Sequence, residues 1–161
     1  MSRNLGNQLP DDLRAKLQNG NLYREGGLGL AVLTLDEQGR PHVAMAPGAV
    51  SAKPGTVYFA LGGASSSLQN ALRDPRVTLQ VAGPETLYYV KGRVTLVRPE
   101  MQVMTQEAAL RLDVEEVLED MESFVTITGG IGYRYRMMHD DFILVIRAML
   151  DELTALAAEE K

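Results

Sequence analysis

The sequence contains no cysteine, which excludes a disulfide framework, a thiolate nucleophile and a cysteine-held zinc. Its two histidines, His42 and His139, lie far apart without metal-ligand spacing. Each reads as a surface or strand-end residue rather than a catalytic base, and no metal site is expected. No apolar run approaches the roughly 20 residues needed to cross a bilayer. The opening MSRNLGNQLPDD lacks the charged-then-apolar pattern of a secretory signal. Together these absences predict a cytoplasmic protein with no membrane association. Nucleophile-elbow, Walker and dinucleotide fingerprints are missing too. Gly62-Gly63 is not GxGxxG, and Gly129-Gly-Ile-Gly132 lacks the strand-to-helix setting of one. With no acid–base constellation, catalytic residues stay unassigned, and any catalysis must be lent by a cofactor.

What is present is globular. The chain has 161 residues, 45% hydrophobic and 23% charged, the size and composition of one domain with a real core. Without a linker, repeat or low-complexity segment, residues 1–161 read as a single domain. The net charge of -5 is uneven: residues 1–98 carry 11 Lys+Arg against 7 Asp+Glu, and residues 99–161 carry 5 against 14. An acidic chain without a basic, aromatic-studded stripe is a poor nucleic-acid binder. The positive first part favours a small anionic ligand, and the acidic second part reads as a solvated helical face.

Along the chain, residues 10–19 predict a short helix with Leu13 and Leu17 on one face. LGLAVLTL at 28–35 is a buried strand, joined through Asp36–Gly39 to a second strand over 42–50. TVYFAL at 56–61 is rich in strand formers. Leu68–Arg73 forms a short helix that Pro75 ends. Strands follow at 77–82 and 86–97 around the turn Gly83-Pro84-Glu85, with Thr86, Tyr88, Val90, Gly92, Val94 and Leu96 on one face. Pro99 opens a helix striped by Met101, Met104, Ala108 and Leu112, and Val114, Val117, Leu118 and Met121 continue the helical spacing. Phe124–Thr128 and Phe142–Ile146 read as strands, with Asp140-Asp141 as a cap rather than a cation site, and the tail from Asp151 as a helix. The sum is an α+β domain dominated by an antiparallel sheet that closes on itself.

The segment Gly62-Gly-Ala-Ser-Ser-Ser67 carries the main chemical signal. It joins a strand to a helix, and a helix N-terminus offers free N–H groups and partial positive charge to a phosphate. Three hydroxyls add donors. The bland alternative is that Ser65 or Ser66 only caps the helix and the glycines only turn the chain.

The run Gly39-Arg-Pro-His-Val43, Gly55-Thr-Val-Tyr-Phe-Ala60, Ser67-Leu-Gln-Asn-Ala-Leu-Arg-Asp-Pro-Arg-Val77 and Val90-Lys-Gly-Arg-Val94 resembles the pyridoxamine 5'-phosphate oxidase-like split barrels. The most specific part is Asn70 with Asp74-Pro75. The resemblance covers residues 25–98 and implies an antiparallel split β-barrel with short peripheral helices. It further implies a homodimer that binds flavin mononucleotide (FMN) in a cleft between subunits and transfers hydride or electrons to a small-molecule substrate. Ser65, Ser66 and Ser67 then hold the phosphate, Ala60 and Leu61 approach it through the backbone, and Gln80 bonds ring or ribitol oxygens. Asn70 ties the short helix to the barrel, and Tyr58, Tyr88 and Tyr89 offer aromatic surface to a second copy. Two departures stand out. Ser67 occupies the place of the family's usual Lys or Arg, and Ala44-Met45-Ala46-Pro47 lacks the Arg common in flavin binders. They leave open a non-enzymatic dimeric barrel with a degenerate flavin site. They also leave open another planar cofactor, haem or a deazaflavin, with His42 or His139 as the iron ligand.

Overall fold

A computed structural model describes residues 2–24, 28–83, 85–121, 124, 126–133 and 140–159. The strands are β1 (Ser2–Asn4), β2 (Leu28–Leu35), β3 (Pro41–Ala46), β4 (Ala49–Val50), β5 (Thr56–Gly62), β6 (Arg76–Gly83), β7 (Thr86–Arg98), β8 (Glu107–Asp120) and β9 (Ile131–Gly132). The helices are α1 (Asp11–Leu17), α2 (Asn21–Arg24), α3 (Ser66–Arg73) and α4 (Asp140–Glu159). Every strand pair among the described residues is antiparallel, in the order β3-β2-β6-β7-β8-β5-β4, with β1 added to β8 and β9 to β2. This is the expected α+β split barrel.

The barrel closes through a bend. β3 pairs with β2, the chain turns at Pro47-Gly48, and β4 then pairs with the far edge strand β5. Gly48 O accepts from Ala60 N at 3.0 Å, so closure reaches back to the bend itself. α3 packs on β2 and also touches β3, β5 and β7. The space between β3 and β5, with the Pro47-Gly48 bend at one end and α3 against both strands, is the wedge of the split barrel. Inside, Leu30, Val32, Val57, Phe59, Leu79, Val90, Leu110 and Leu112 form the core. The face of β7 carrying Thr86, Tyr88, Val90, Gly92 and Val94 is buried, while the opposite face is partly or fully exposed.

Three expectations need correction. The helix expected from Pro99 onward is absent: residues 107–120 are the longest strand, β8. The reason is a bulge. Lys91 pairs with Glu116 but Gly92 pairs with Val114, so Glu115 is an extra residue. Burial on β8 runs Ala108, Leu110, Leu112, Val114 and then Val117 and Glu119. The one-residue slip turns an i, i+2 pattern into an apparent i, i+3 one. Second, Phe142–Ile146 is not a strand but the first turns of α4, whose buried residues Ile146, Met149, Leu150, Leu153, Leu156 and Ala157 keep helical spacing. Packing of that stripe overrides the local β-propensity of FILVI. Third, Phe124 and residues 126–128 are not in a strand; Phe124 is almost fully exposed. Pro84 and the Gly26-Gly27 boundary lie outside the described residues.

The tyrosines expected on the surface are also reassigned. Tyr58 and Tyr88 are buried within the chain itself. Tyr88 donates to Asp12 Oδ2 at 2.8 Å, fastening α1 to the sheet. Burial, reinforced by Asp12, pushes the Tyr88 hydroxyl above its usual range. Tyr89 alone of the three is partly exposed.

Candidate functional site

The β5–α3 loop, residues 62–66, stands at the wedge and has a cavity on each side. The serines divide three tasks. Ser65, in extended backbone, caps α3: its Oγ accepts from Leu68 N at 3.1 Å. Ser67 is buried, with its Oγ 3.2 Å from His42 Nε2. Ser66 is exposed and lines a polar pocket of about 430 Å³ with His42, Gln69, Asn70, Arg73 and the Asp36–Gln38 turn. The first-turn amides of Ser66 and Ser67 precede any intrahelical acceptor, and of these two residues Ser66 lines the pocket.

The pocket's framework is held from behind. Asn70 is buried and donates to Thr34 Oγ1 at 3.2 Å, and its Oδ1 accepts from Arg73. Arg73 also donates to Leu35 O. These contacts tie α3 to β2, the tethering role expected of Asn70. The acidic rim is partly neutralised. Asp36 accepts from the amides of Gln38 and Arg40 and from the Arg40 guanidinium. The Arg40 amide foremost holds its carboxyl below the usual range.

The second cavity, about 440 Å³, lies at the closed head of the wedge. Met45, Ala46 and Pro47 line it from β3, Gly62 from β5, Met104 and Glu107 from the approach to β8, and Phe142 and Ile146 from α4. Tyr23 and Tyr133 complete the wall, and the Tyr23 hydroxyl is spent on Ala46 O at 3.1 Å. Glu107 is the one charged side chain among the described lining residues. Its Oε2 is buried with no partner among the described residues, and burial pushes the carboxyl above its usual range.

The other residues singled out in the sequence fall elsewhere. Ala60 and Leu61 are fully buried in β5 opposite Ala109 and Ala108, next to the wedge but behind it. Gln80 sits on β6 between Ala31 and Tyr89. Ala31 in turn pairs with Met45, so Gln80 is two strands, roughly 10 Å, from the rim of the apolar cavity. The structure thus joins Ser66, His42, Asn70 and Arg73, and leaves Gln80 outside that group. His42 is half-buried and engaged with Ser67, while His139 lies outside the described residues. Glu107, Met104 and Tyr23 escaped sequence reasoning. A strand reading of 107–120 places Glu107 at a strand start opposite Gly62, which was the available signal.

No family model matches the sequence, and no curated protein matches it significantly. Solved structures do. A provisionally assigned pyridoxamine 5'-phosphate oxidase from Lactobacillus delbrueckii superposes with a TM-score of 0.56 at 17% identity, covering 71% of this chain and 98% of that one. A HupZ variant from Group A Streptococcus gives 0.55 at 12% identity, covering 70% and 99%. The chain has the split-barrel fold of the pyridoxamine 5'-phosphate oxidase-like proteins.

Proposed function

We propose that the protein is a cytoplasmic, homodimeric flavin-binding barrel that holds FMN along the wedge between β3 and β5. The carrying observation is that one loop, Gly62 to Ser66, separates a polar pocket at a helix start from an apolar cleft. A phosphorylated flat cofactor needs those two environments side by side. Ser66 Oγ and the first amides of α3 would meet the phosphate, with His42 and Arg73 on the pocket wall supplying further donors. Ser65 and Ser67 shape that terminus rather than face it, through the cap and the His42 contact. Met45 and Pro47 would border the ring. Bound flavin supplies hydride or electron transfer to a small substrate; the chain supplies orientation and a dry, apolar wall. Exposed Val43 and Met45 on the edge strand β3 are the apolar surface for the second copy.

The test is a visible spectrum of the purified protein, followed by titration with FMN and with riboflavin. Saturable FMN binding, weaker for riboflavin by about tenfold because the phosphate contacts are lost, supports the reading. A colourless protein that saturates with neither refutes it. Sedimentation of the same samples reports the dimer.

A further inference from the structure

We propose that the polar pocket beside α3 is a trench for a nucleoside diphosphate, so that flavin adenine dinucleotide (FAD) is held in preference to FMN. The flavin phosphate sits at the start of α3, and the second phosphate and its ribose continue along the helix, with Glu37 accepting from the ribose hydroxyls. This deepens the flavin reading above and rests on it. The carrying observation is the shape of the wall. Ser66, Gln69, Asn70 and Arg73 line the pocket and stand at i, i+3, i+4 and i+7, one face of the helix. They run from the first residue of α3 to its last. Seven steps at about 1.5 Å each make that wall roughly 10 Å long.

The β2–β3 hairpin keeps step with the helix. His42 Nε2 lies 3.2 Å from Ser67 Oγ at the helix start, and Thr34 Oγ1 accepts from Asn70 Nδ2 at 3.2 Å near its middle. Leu35 O accepts from Arg73 at its end. The chain then turns, and Asp36, Glu37 and Gln38 line the far end of the pocket. A volume of about 430 Å³ is that of a site for a whole small molecule. One phosphate occupies only the first turn of it.

The groups along the trench suit that occupant. Glu37 is exposed and makes no hydrogen bond or ion pair with the described residues; a carboxylate there can accept from both vicinal hydroxyls of a ribose. Arg73, also exposed, spends Nη2 on Leu35 O and Asn70 Oδ1 and keeps the other donors of its fork for an anion. Charge balance points the same way. Asp36 and Glu37 stand against Arg73, with no lysine among the described lining residues. A terminal phosphate carries close to two charges near neutral pH, whereas a linked one carries a single charge. The dinucleotide therefore spreads along the trench the charge that FMN concentrates at its start.

Calorimetric titration with FAD, FMN and riboflavin tests this, in the wild-type protein and in Glu37→Gln. FAD should bind tighter than FMN by about fivefold or more. Glu37→Gln should weaken FAD by about three- to tenfold and leave FMN within about twofold of its wild-type affinity. A thermal melt confirms that the variant folds. Equal affinities for FAD and FMN, or tighter FMN, would overturn the inference and leave the flavin reading standing. A preference for FAD untouched by Glu37→Gln would overturn it too. Saturation by none of the three flavins would overturn both.

Discussion

Replacing Gly92 with alanine should weaken the barrel more than its mid-strand, partly polar surroundings suggest. Gly92 lies on β7 beside the bulge, in register with Val77 on one side and Val114 on the other. A Cβ there would stand 2.0 Å from Asp113 O and 2.9 Å from the Asp113 carbonyl carbon. Carbon–oxygen contacts across a sheet normally sit at about 3.3 Å or more, so the β7–β8 ladder would have to open by more than 1 Å at this point. The obstacle is backbone within a ladder, which relaxes less than a side chain would. Overpacking of this kind costs about 1–3 kcal/mol, and the upper end applies here. For a chain of this length each kcal/mol moves Tm by about 2–4 °C, so the expected fall is about 6–12 °C. Gly55→Ala is the matched control, since nothing lies within 4 Å of a Cβ at Gly55; its stability should change by no more than about 1 kcal/mol. Circular dichroism melts with urea titrations at constant m-value read both. A Gly92→Ala protein melting within about 2 °C of wild type would refute the close-approach account of the bulge.

Glu152 accepts from Arg98 Nη1 at 2.7 Å, Gln102 N at 2.8 Å and Val103 N at 3.0 Å, fastening α4 to the loop before β8. Burial alone would raise its carboxyl, but those amides and the guanidinium hold it below the usual range. Glu152→Ala should cost about 1.5–3 kcal/mol in urea unfolding at neutral pH, and the difference from wild type should shrink on acidification. An unchanged urea midpoint would show that α4 docks without the clamp. The side chain of Arg76, with its amide, holds the Asp74 carboxyl down to about 2. A depressed folded value means the stabilisation is complete above the unfolded value of about 4 and lost as pH falls through about 2. Urea midpoints measured between those limits should fall less steeply for Asp74→Asn than for wild type; parallel slopes would contradict the pairing.

Much of the fold was legible because its local signals agree with its packing. The turn at Asp36–Gly39 is written in residue types: Asp36 accepts from two amides of the turn, and Gly39 takes a positive φ of 74°. The Asn70 helix was likewise readable from the Pro75 stop. What misled was β8. One inserted residue, Glu115, shifts the buried set from even to odd positions, and a period-2 pattern with a slip imitates a helix. Only the partner strand makes the slip visible, because Gly92 leaves room for the bulge and no signal for it lies within residues 107–120. At α4 the error ran the other way. The strand-like FILVI leads into a stripe at 146, 149, 150, 153, 156 and 157, whose periodicity lies mostly beyond that run.

The misreading of β8 is also why the site was only half legible. Its polar half is local: Ser65, Ser66 and Ser67 lie together in the sequence at a helix start, although only Ser66 lines the polar pocket, Ser65 capping α3 and Ser67 meeting His42. Its apolar half gathers Tyr23, Met45, Gly62, Glu107 and Phe142 from five separate segments, and no spacing rule connects them. Glu107 meets Gly62 only if residue 107 begins a strand paired to β5; as a helical residue it would have been one more solvated carboxylate. The serine where a lysine is customary then takes on a different weight. Ser67 is buried against His42 and shapes the helix terminus, so a lysine at 67 would have to displace that contact before reaching the polar pocket.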